Sequence, residues 1–303
     1  MSGQAEFLIF GATGQQGGAV ARALKAKGKV VRAFVRDPLG ERAKALHGEG
    51  FELAVGDLFD PASIDRAMLG IAGVFSVQTS SPAGMVTDAE EVQHGKAIAD
   101  SAVRHGVRHL VYSSGGGAGK GPTRMGHFDS KSEIEAYVRS LPIMTTITRP
   151  ATFMEMLLLP GMGLPQGMFS FFMHPDQAMQ MIALGDLGRM NAQILVAPDR
   201  YQGEIIELAG ASVTGAGLER AFTKAAGRPI GYRRFPPALL AGNPFLNRLT
   251  ELLDSGLLAG AADLQALSRE FGELTSFEDW LAGPGKPLFE AALREREAEV
   301  ALR

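Results

Sequence analysis

Phe7-Leu8-Ile9-Phe10-Gly11-Ala12-Thr13-Gly14-Gln15-Gln16-Gly17-Gly18 is an apolar run that stops on a glycine and continues as G-x-x-G-x-x-G. Beyond it Val20, Ala23 and Leu24 recur at helical spacing, and Gly28 closes the stretch. Strand, glycine loop and helix in that order have the mechanics of a dinucleotide site. One glycine permits the tight turn, one lets backbone amides approach a pyrophosphate, and one lets the helix sit close to the strand. The helix start adds free N–H groups and a positive dipole end. Gly11, Thr13, Gly14, Gln15, Gln16 and Gly17 are therefore candidate cofactor contacts. A ligand-free tight turn is the competing explanation, and the alternation of strands and helices beyond Gly28 speaks against it.

Apolar runs at residues 30–35, 51–55, 74–77, 109–112 and 144–148 alternate with amphipathic stretches at 42–47, 61–69, 88–105 and 130–140. Asp60 is positioned to cap the helix at 61–69. This alternation predicts βαβ units: an α/β, Rossmann-type, doubly wound parallel sheet with its ligand edge at the strand C-termini. After Pro150 the rhythm loosens. Strands are expected at 203–208 and 228–235, a helix at 214–226, and a Leu/Ala-rich helical region at 236–272. Residues 1–152 read as an NAD(P)-binding domain and 153–303 as a smaller α+β lobe, with no linker between them. Met162, Met168, Phe169, Phe171, Phe172, Met173 and Met179 are expected to pack as core rather than line a cleft.

The 303 residues carry 30 Lys+Arg against 33 Asp+Glu, a net charge of −3. That balance argues against a nucleic-acid binder, which shows a basic excess. No cysteine is present, which excludes disulfides, thiolate zinc sites and a Cys nucleophile, and fits a reducing, cytoplasmic setting. Residues 1–10 lack a basic segment followed by an apolar core, and the apolar stretch 153–164 is broken by Glu155 and Pro160, so neither export nor a membrane span is expected. His105 and His109 are four apart, but Gly106 breaks the helix between them, so no metal site is expected. Glycine is over-used, 38 residues against an average of about 7%. Four glycines fall in 11–18 and five in 115–121. The second cluster reads as a hinge.

The second strand ends Val35-Arg36-Asp37-Pro38. An acidic residue here bonds the ribose of NAD, whereas an Arg suits the 2′-phosphate of NADP. Arg36 comes first, so NADP(H) is favoured over NAD(H); Asp37 either weakens that preference or starts the turn before Pro38. Lys44 is either a further phosphate contact or a solvated charge. Asp57 is either an adenine contact or a helix-capping partner of Asp60. Gln78-Thr79-Ser80-Ser81-Pro82, after the fourth strand, supplies small polar residues able to line the cofactor.

The Gly11–Gly18 loop and the Val35-Arg36-Asp37-Pro38 step, with Gly56-Asp57-Leu58, Gln93-His94-Gly95-Lys96-Ala97-Ile98-Ala99-Asp100, the segment from Gly106 to Ser114, His127-Phe128-Asp129-Ser130-Lys131 and Arg149-Pro150-Ala151-Thr152-Phe153-Met154-Glu155, resemble the NmrA-like family of atypical short-chain dehydrogenase/reductases. The His-Phe-Asp-x-Lys form resembles the branch that contains the human NmrA-like redox sensor. The resemblance implies an NADP-binding Rossmann lobe, a smaller C-terminal lobe and a cleft between them. It implies that Leu58, beside Asp57, is a cofactor contact, that Lys131 holds the nicotinamide ribose, that Ser114 stands where the family's Ser stands, and that Pro150 and Phe153 face the nicotinamide. Short-chain reductases place a Tyr four residues before the Lys, one helical turn away. Here that position is His127. With the Tyr missing, two functions compete. The leading one is a redox-responsive regulator that senses NADPH/NADP and presents a surface to a protein partner. The alternative is a Tyr-less NADPH-dependent oxidoreductase acting on a small apolar carbonyl, quinone or enone. In the second, Lys131, His127 and Ser114 carry the chemistry.

Overall fold

The computed structural model describes residues 5–80 and 84–294; Ser81 and Pro82, expected to line the cofactor, lie outside them. Six strands alternate with five helices through the first half. They are Phe7–Ile9 (β1), Gln15–Ala26 (α1), Val31–Val35 (β2), Glu41–Gly48 (α2), Glu52–Val55 (β3), Pro61–Met68 (α3), Gly73–Ser76 (β4), Asp88–Arg104 (α4), His109–Ser113 (β5), Gly126–Ser140 (α5) and Met144–Pro150 (β6). With Ile205–Leu208 as a further strand, they form a seven-stranded sheet in the order 10-6-5-4-1-2-3 by strand number along the chain. Each adjacent pair from β6 to β3 runs parallel. β1, β4 and β5 are buried along their whole length, which is why they read as mainly apolar segments instead of alternating ones. The strand order reverses between β1 and β4, and that reversal opens the crevice in which doubly wound sheets bind ligands.

Local chemistry sets the helix ends. Asp60 caps α3, its carboxylate accepting from the Ala62 amide at 3.1 Å, as expected. Thr87 and Glu90 form a reciprocal capping box that starts α4. α5 begins at Gly126, four residues earlier than the sequence pattern suggests. Its N-cap Met125 carries no capping side chain and Gly126 is a poor helix former, so neither start signal is visible in the sequence.

His109 is buried in β5 and bonds the Thr146 hydroxyl at 2.8 Å. Burial, with the Arg108 charge, pulls its imidazole down from 6.5 to about 4. Between those values the unfolded chain binds a proton that the folded chain refuses, so stability falls as the pH drops. His109 alone accounts for about 2 kcal/mol lost between neutrality and about pH 5. Urea midpoints measured across that range test this: His109→Gln should flatten the dependence, and an unchanged slope would assign it elsewhere.

The chain divides into two units that do not follow a single cut. The first holds the chain up to Arg149 together with Leu187–Ile206, and the second holds Pro150–Asp186 together with the chain from Glu207 onward. The return segment contains most of Leu184–Val196 (α6) and all of Pro198–Tyr201 (α7). In the first unit buried Asn191 of α6 accepts from the Thr148 hydroxyl of β6 at 3.1 Å.

The second unit has its own apolar core, centred on Phe169, Phe222, Phe277 and Trp280. Met162, Phe169, Phe171, Phe172, Met173 and Met179 belong to that core, while Met168 is half-buried. Its strands are short: Thr152–Phe153 (β7), Met168–Phe171 (β8), Ala178–Ile182 (β9), Ala211–Thr214 (β11) and Gly231–Arg234 (β12), the last strand of the large sheet being β10. β11, β9 and β7 form one small sheet, and β12 pairs with β8 in another. The expected helical region 236–272 is three helices, Pro237–Gly242, Pro244–Asp254 and Leu264–Phe271, separated where Asn243 caps the second and Asp263 caps the third. No helix among the described residues is long and apolar enough to cross a membrane.

Candidate functional site

The glycine loop leaves β1 directly against β4, the Phe10 amide donating to the Phe75 carbonyl at 3.0 Å. Gly11 adopts a φ of +65°, open to glycine without cost. A Cβ on Gly17 would overlap the Gly11 carbonyl and lie 2.6 Å from that of Phe10. The loop is therefore folded tightly on itself, with no room for a side chain at that position. α1 begins at Gln15 with no side chain capping it. An uncapped helix start next to a tight glycine turn suits an anionic ligand, because the first-turn amides need an acceptor. These residues fit a dinucleotide pyrophosphate.

The neighbours divide into those available to a ligand and those engaged within the protein. Arg36 is exposed at the end of β2 and makes no ion pair among the described residues. Asp37 is used locally, its carboxylate accepting from the Leu39 amide at 2.9 Å, the turn-forming role expected beside Pro38. Lys44 pairs with Glu41 at 3.1 Å, so it acts as a solvated helix charge. Arg42 carries no distinguishing sequence signal, yet its guanidinium reaches the Thr13 carbonyl at 3.4 Å, next to the glycine turn. Asp57 accepts from the Phe59 amide at 3.0 Å, which fixes the turn around Leu58. Gln78 is buried; its amide nitrogen donates to Ser76 at 2.7 Å, and its amide oxygen has no partner among the described residues. Gln16 accepts from the Ser113 hydroxyl at 2.7 Å, tying α1 to the end of β5.

The polar groups expected to carry chemistry come together at the carboxyl edge of β4 and β5. The Lys131 ammonium on α5 bonds the Glu91 carboxylate on α4 and lies 3.3 Å from the Ser80 hydroxyl after β4. Its aliphatic stem runs past Gly115, the residue after Ser114. Ser114 is buried and its hydroxyl has no partner among the described residues. Since α5 starts at Gly126, His127 and Lys131 share one helix at i and i+4, not a loop and a helix. Burial lowers the His127 imidazole from 6.5 to about 4, and the Lys131 charge acts in the same direction. His127 is thus neutral at physiological pH. Tyr112 is buried in β5, its hydroxyl without a partner among the described residues, and burial keeps it protonated. Tyr137 bonds Asp100 at 2.5 Å. Neither stands in for the missing Tyr.

The second glycine cluster is anchored rather than loose. Ala118 and Thr123 are fully buried, the Gly119 amide donates to the Ser132 hydroxyl at 2.9 Å, and Thr123 donates through its amide and hydroxyl to Asp129 at 2.8 and 2.9 Å. Asp129 of the His-Phe-Asp-x-Lys run therefore fastens this loop to α5. Pro150 ends β6, and Phe153, half-buried, lies in β7 beside Ile182 of β9; both belong to the second unit. Among the described residues no group of acidic or histidine side chains could hold a metal ion.

Glu91 carries no sequence signal that would select it. It looks like an ordinary acidic residue in the first turn of a helix, where the dipole favours it. Its burial depends on α5, forty positions away.

Comparison with known proteins agrees with this architecture. The chain is 28% identical over 227 residues to an NAD(P)H azoreductase of Xenophilus azovorans, covering 74% of this chain and 75% of that protein. It is 30% identical over 254 residues to the NmrA-like family domain-containing oxidoreductase malD of Malbranchea aurantiaca, covering 75% and 74%. The crystal structure of NmrA, a negative transcriptional regulator, in complex with NADP superposes with a TM-score of 0.78 at 22% identity, over 95% of this chain and 98% of that one; a crystal structure of the same regulator holds NAD. The profile of the NmrA-like family matches residues 4–281, which spans both units, and with the glycine loop, the strand order and this relative in agreement the chain belongs to the NmrA-like family.

Proposed function

We propose that the protein binds NADP(H) and acts as a Tyr-less oxidoreductase on a small apolar acceptor, a quinone, enone or carbonyl. The observation that carries the cofactor assignment is the uncapped start of α1 behind a glycine turn that admits no side chain, with Arg36 exposed at the next strand end and in no ion pair among the described residues. In this reading the 11–17 loop takes the pyrophosphate, and Arg36, with Arg42 behind the loop, takes the 2′-phosphate. Asp57 and Leu58 border the adenine, and Gln78 lines the crevice. When bound, the reduced nicotinamide supplies the hydride. Lys131 fixes the ribose, and the Ser114 hydroxyl donates to the acceptor's oxygen. His127, neutral, does not act as the acid, so the proton comes from water.

Calorimetry with NADPH and NADH tests the cofactor part. Arg36→Ala should weaken NADPH at least about tenfold and leave NADH within about twofold, since only the former carries the 2′-phosphate. Equal loss for both would remove Arg36 from that role.

The redox-responsive regulator, of the kind represented by the human sensor branch, ranks second. Its specific support is the absent Tyr, and the shared fold with a transcriptional regulator accords with it. The anchoring of residues 115–126 to α5 weighs against a loop that is ordered only when cofactor binds.

A further inference from the structure

The structure holds Lys131 in an unusual way. Its side chain is 13% exposed and that of Glu91 is 1% exposed, so the pair is an ion pair taken out of water. Such pairs add little net stability over an apolar pair of the same size, because desolvation consumes most of the attraction. Their value lies in orientation. Here both carboxylate oxygens are engaged: Oε1 accepts from the Lys131 ammonium and Oε2 from the Ser130 hydroxyl at 3.0 Å. Ser130 and Lys131 are adjacent on α5, so the carboxylate is held at two points of one helical turn. One turn further along α4, Ile134 of α5 packs where Gly95 has no side chain. The two helices are therefore close at this point, and the Glu91 side chain is enclosed.

We infer that Glu91 is a positioning residue that aims the Lys131 ammonium at the cofactor ribose. This rests on the cofactor reading above. The ammonium has three N–H donors. Glu91 takes one, Ser80 lies within reach of a second, and one remains. A free lysine on four rotatable bonds would spread its charge over many rotamers; the fixed carboxylate restricts it to one, with the remaining donor available to a ribose hydroxyl. Ser130 acts one step further out, by orienting Glu91.

A double-mutant cycle read by NADPH calorimetry tests this without using turnover. Glu91→Gln should weaken NADPH about five- to tenfold when Lys131 is present and less than about twofold in a Lys131→Met background. Ser130→Ala, which frees one carboxylate oxygen but keeps the ion pair, repeats the cycle if Glu91→Gln does not fold. An effect of about two- to threefold confined to the Lys131 background is expected from it. Equal losses in both backgrounds, or no loss in either, would overturn the inference, because Glu91 would then act only by joining α4 to α5. A wild-type protein that binds neither NADPH nor NADH would overturn the cofactor reading as well. Wild-type binding with background-independent losses overturns this inference alone.

Discussion

Gly17→Ala should weaken NADPH binding at least about 100-fold, equivalent to about 2.7 kcal/mol. The added Cβ meets the Gly11 carbonyl and the Phe10 carbonyl, both backbone groups. A flexible side chain could turn aside; a backbone in a tight turn has to shift as a whole, and the first-turn amides of α1 shift with it. Since the binding energy of a pyrophosphate at a helix start depends on several amides aimed together, a displacement of an ångström removes most of it. The variant is checked by calorimetry beside a thermal melt. A lower melting temperature by several degrees is expected, because the overlap exists without ligand. Retained affinity in folded Gly17→Ala would mean that the loop is a structural turn and not the phosphate cradle.

The second large effect concerns Lys131. In the oxidoreductase reading, Lys131→Met should lower NADPH-dependent quinone reduction at least about 100-fold; it also strands the buried Glu91 carboxylate, at a cost of about 3 kcal/mol of stability, so turnover is read on protein that a thermal melt shows to be folded. Stopped-flow turnover with a quinone panel measures it. The same assay carries a pH signature. His127 is already neutral above about pH 4, because burial and the Lys131 charge oppose its protonation, so the rate of the wild type should not titrate with His127 between about pH 6 and 8. A fall in rate with rising pH, centred near the ordinary imidazole value and absent from His127→Gln, would make His127 the proton donor. No NADPH consumption across the panel with cofactor affinity intact would favour the regulator.

The early half of the fold is legible in the sequence because its signals are local. The run 7–10, the three spaced glycines and the apolar positions of α1 lie within twenty residues, and the turn and the close strand–helix packing need those glycines for steric reasons. The alternation of short apolar strands with amphipathic helices carries the parallel sheet in the same way. Asp60 as a cap and Asp37 as a turn former are also visible, since each bonds a backbone amide two residues on. The short strands β7, β8 and β9 are not, because segments of two to five residues are too short to show a period that separates strand from helix.

What the amino-acid order settled, then, is the dinucleotide-type βαβ frame, the family resemblance, and the residue types at 36, 114, 127 and 131. The folded chain settled how those residues are used. It moved the start of α5 to Gly126, so that His127 and Lys131 became neighbours on one helix. It fastened Gly119 through Ser132 and Thr123 through Asp129, returned Leu187–Ile206 to the first unit, and buried Glu91 against Lys131. Each of these depends on contacts between positions far apart in the chain. A carboxylate at a helix start is solvated or buried according to which helix packs over it, and no pattern within its own helix records that choice.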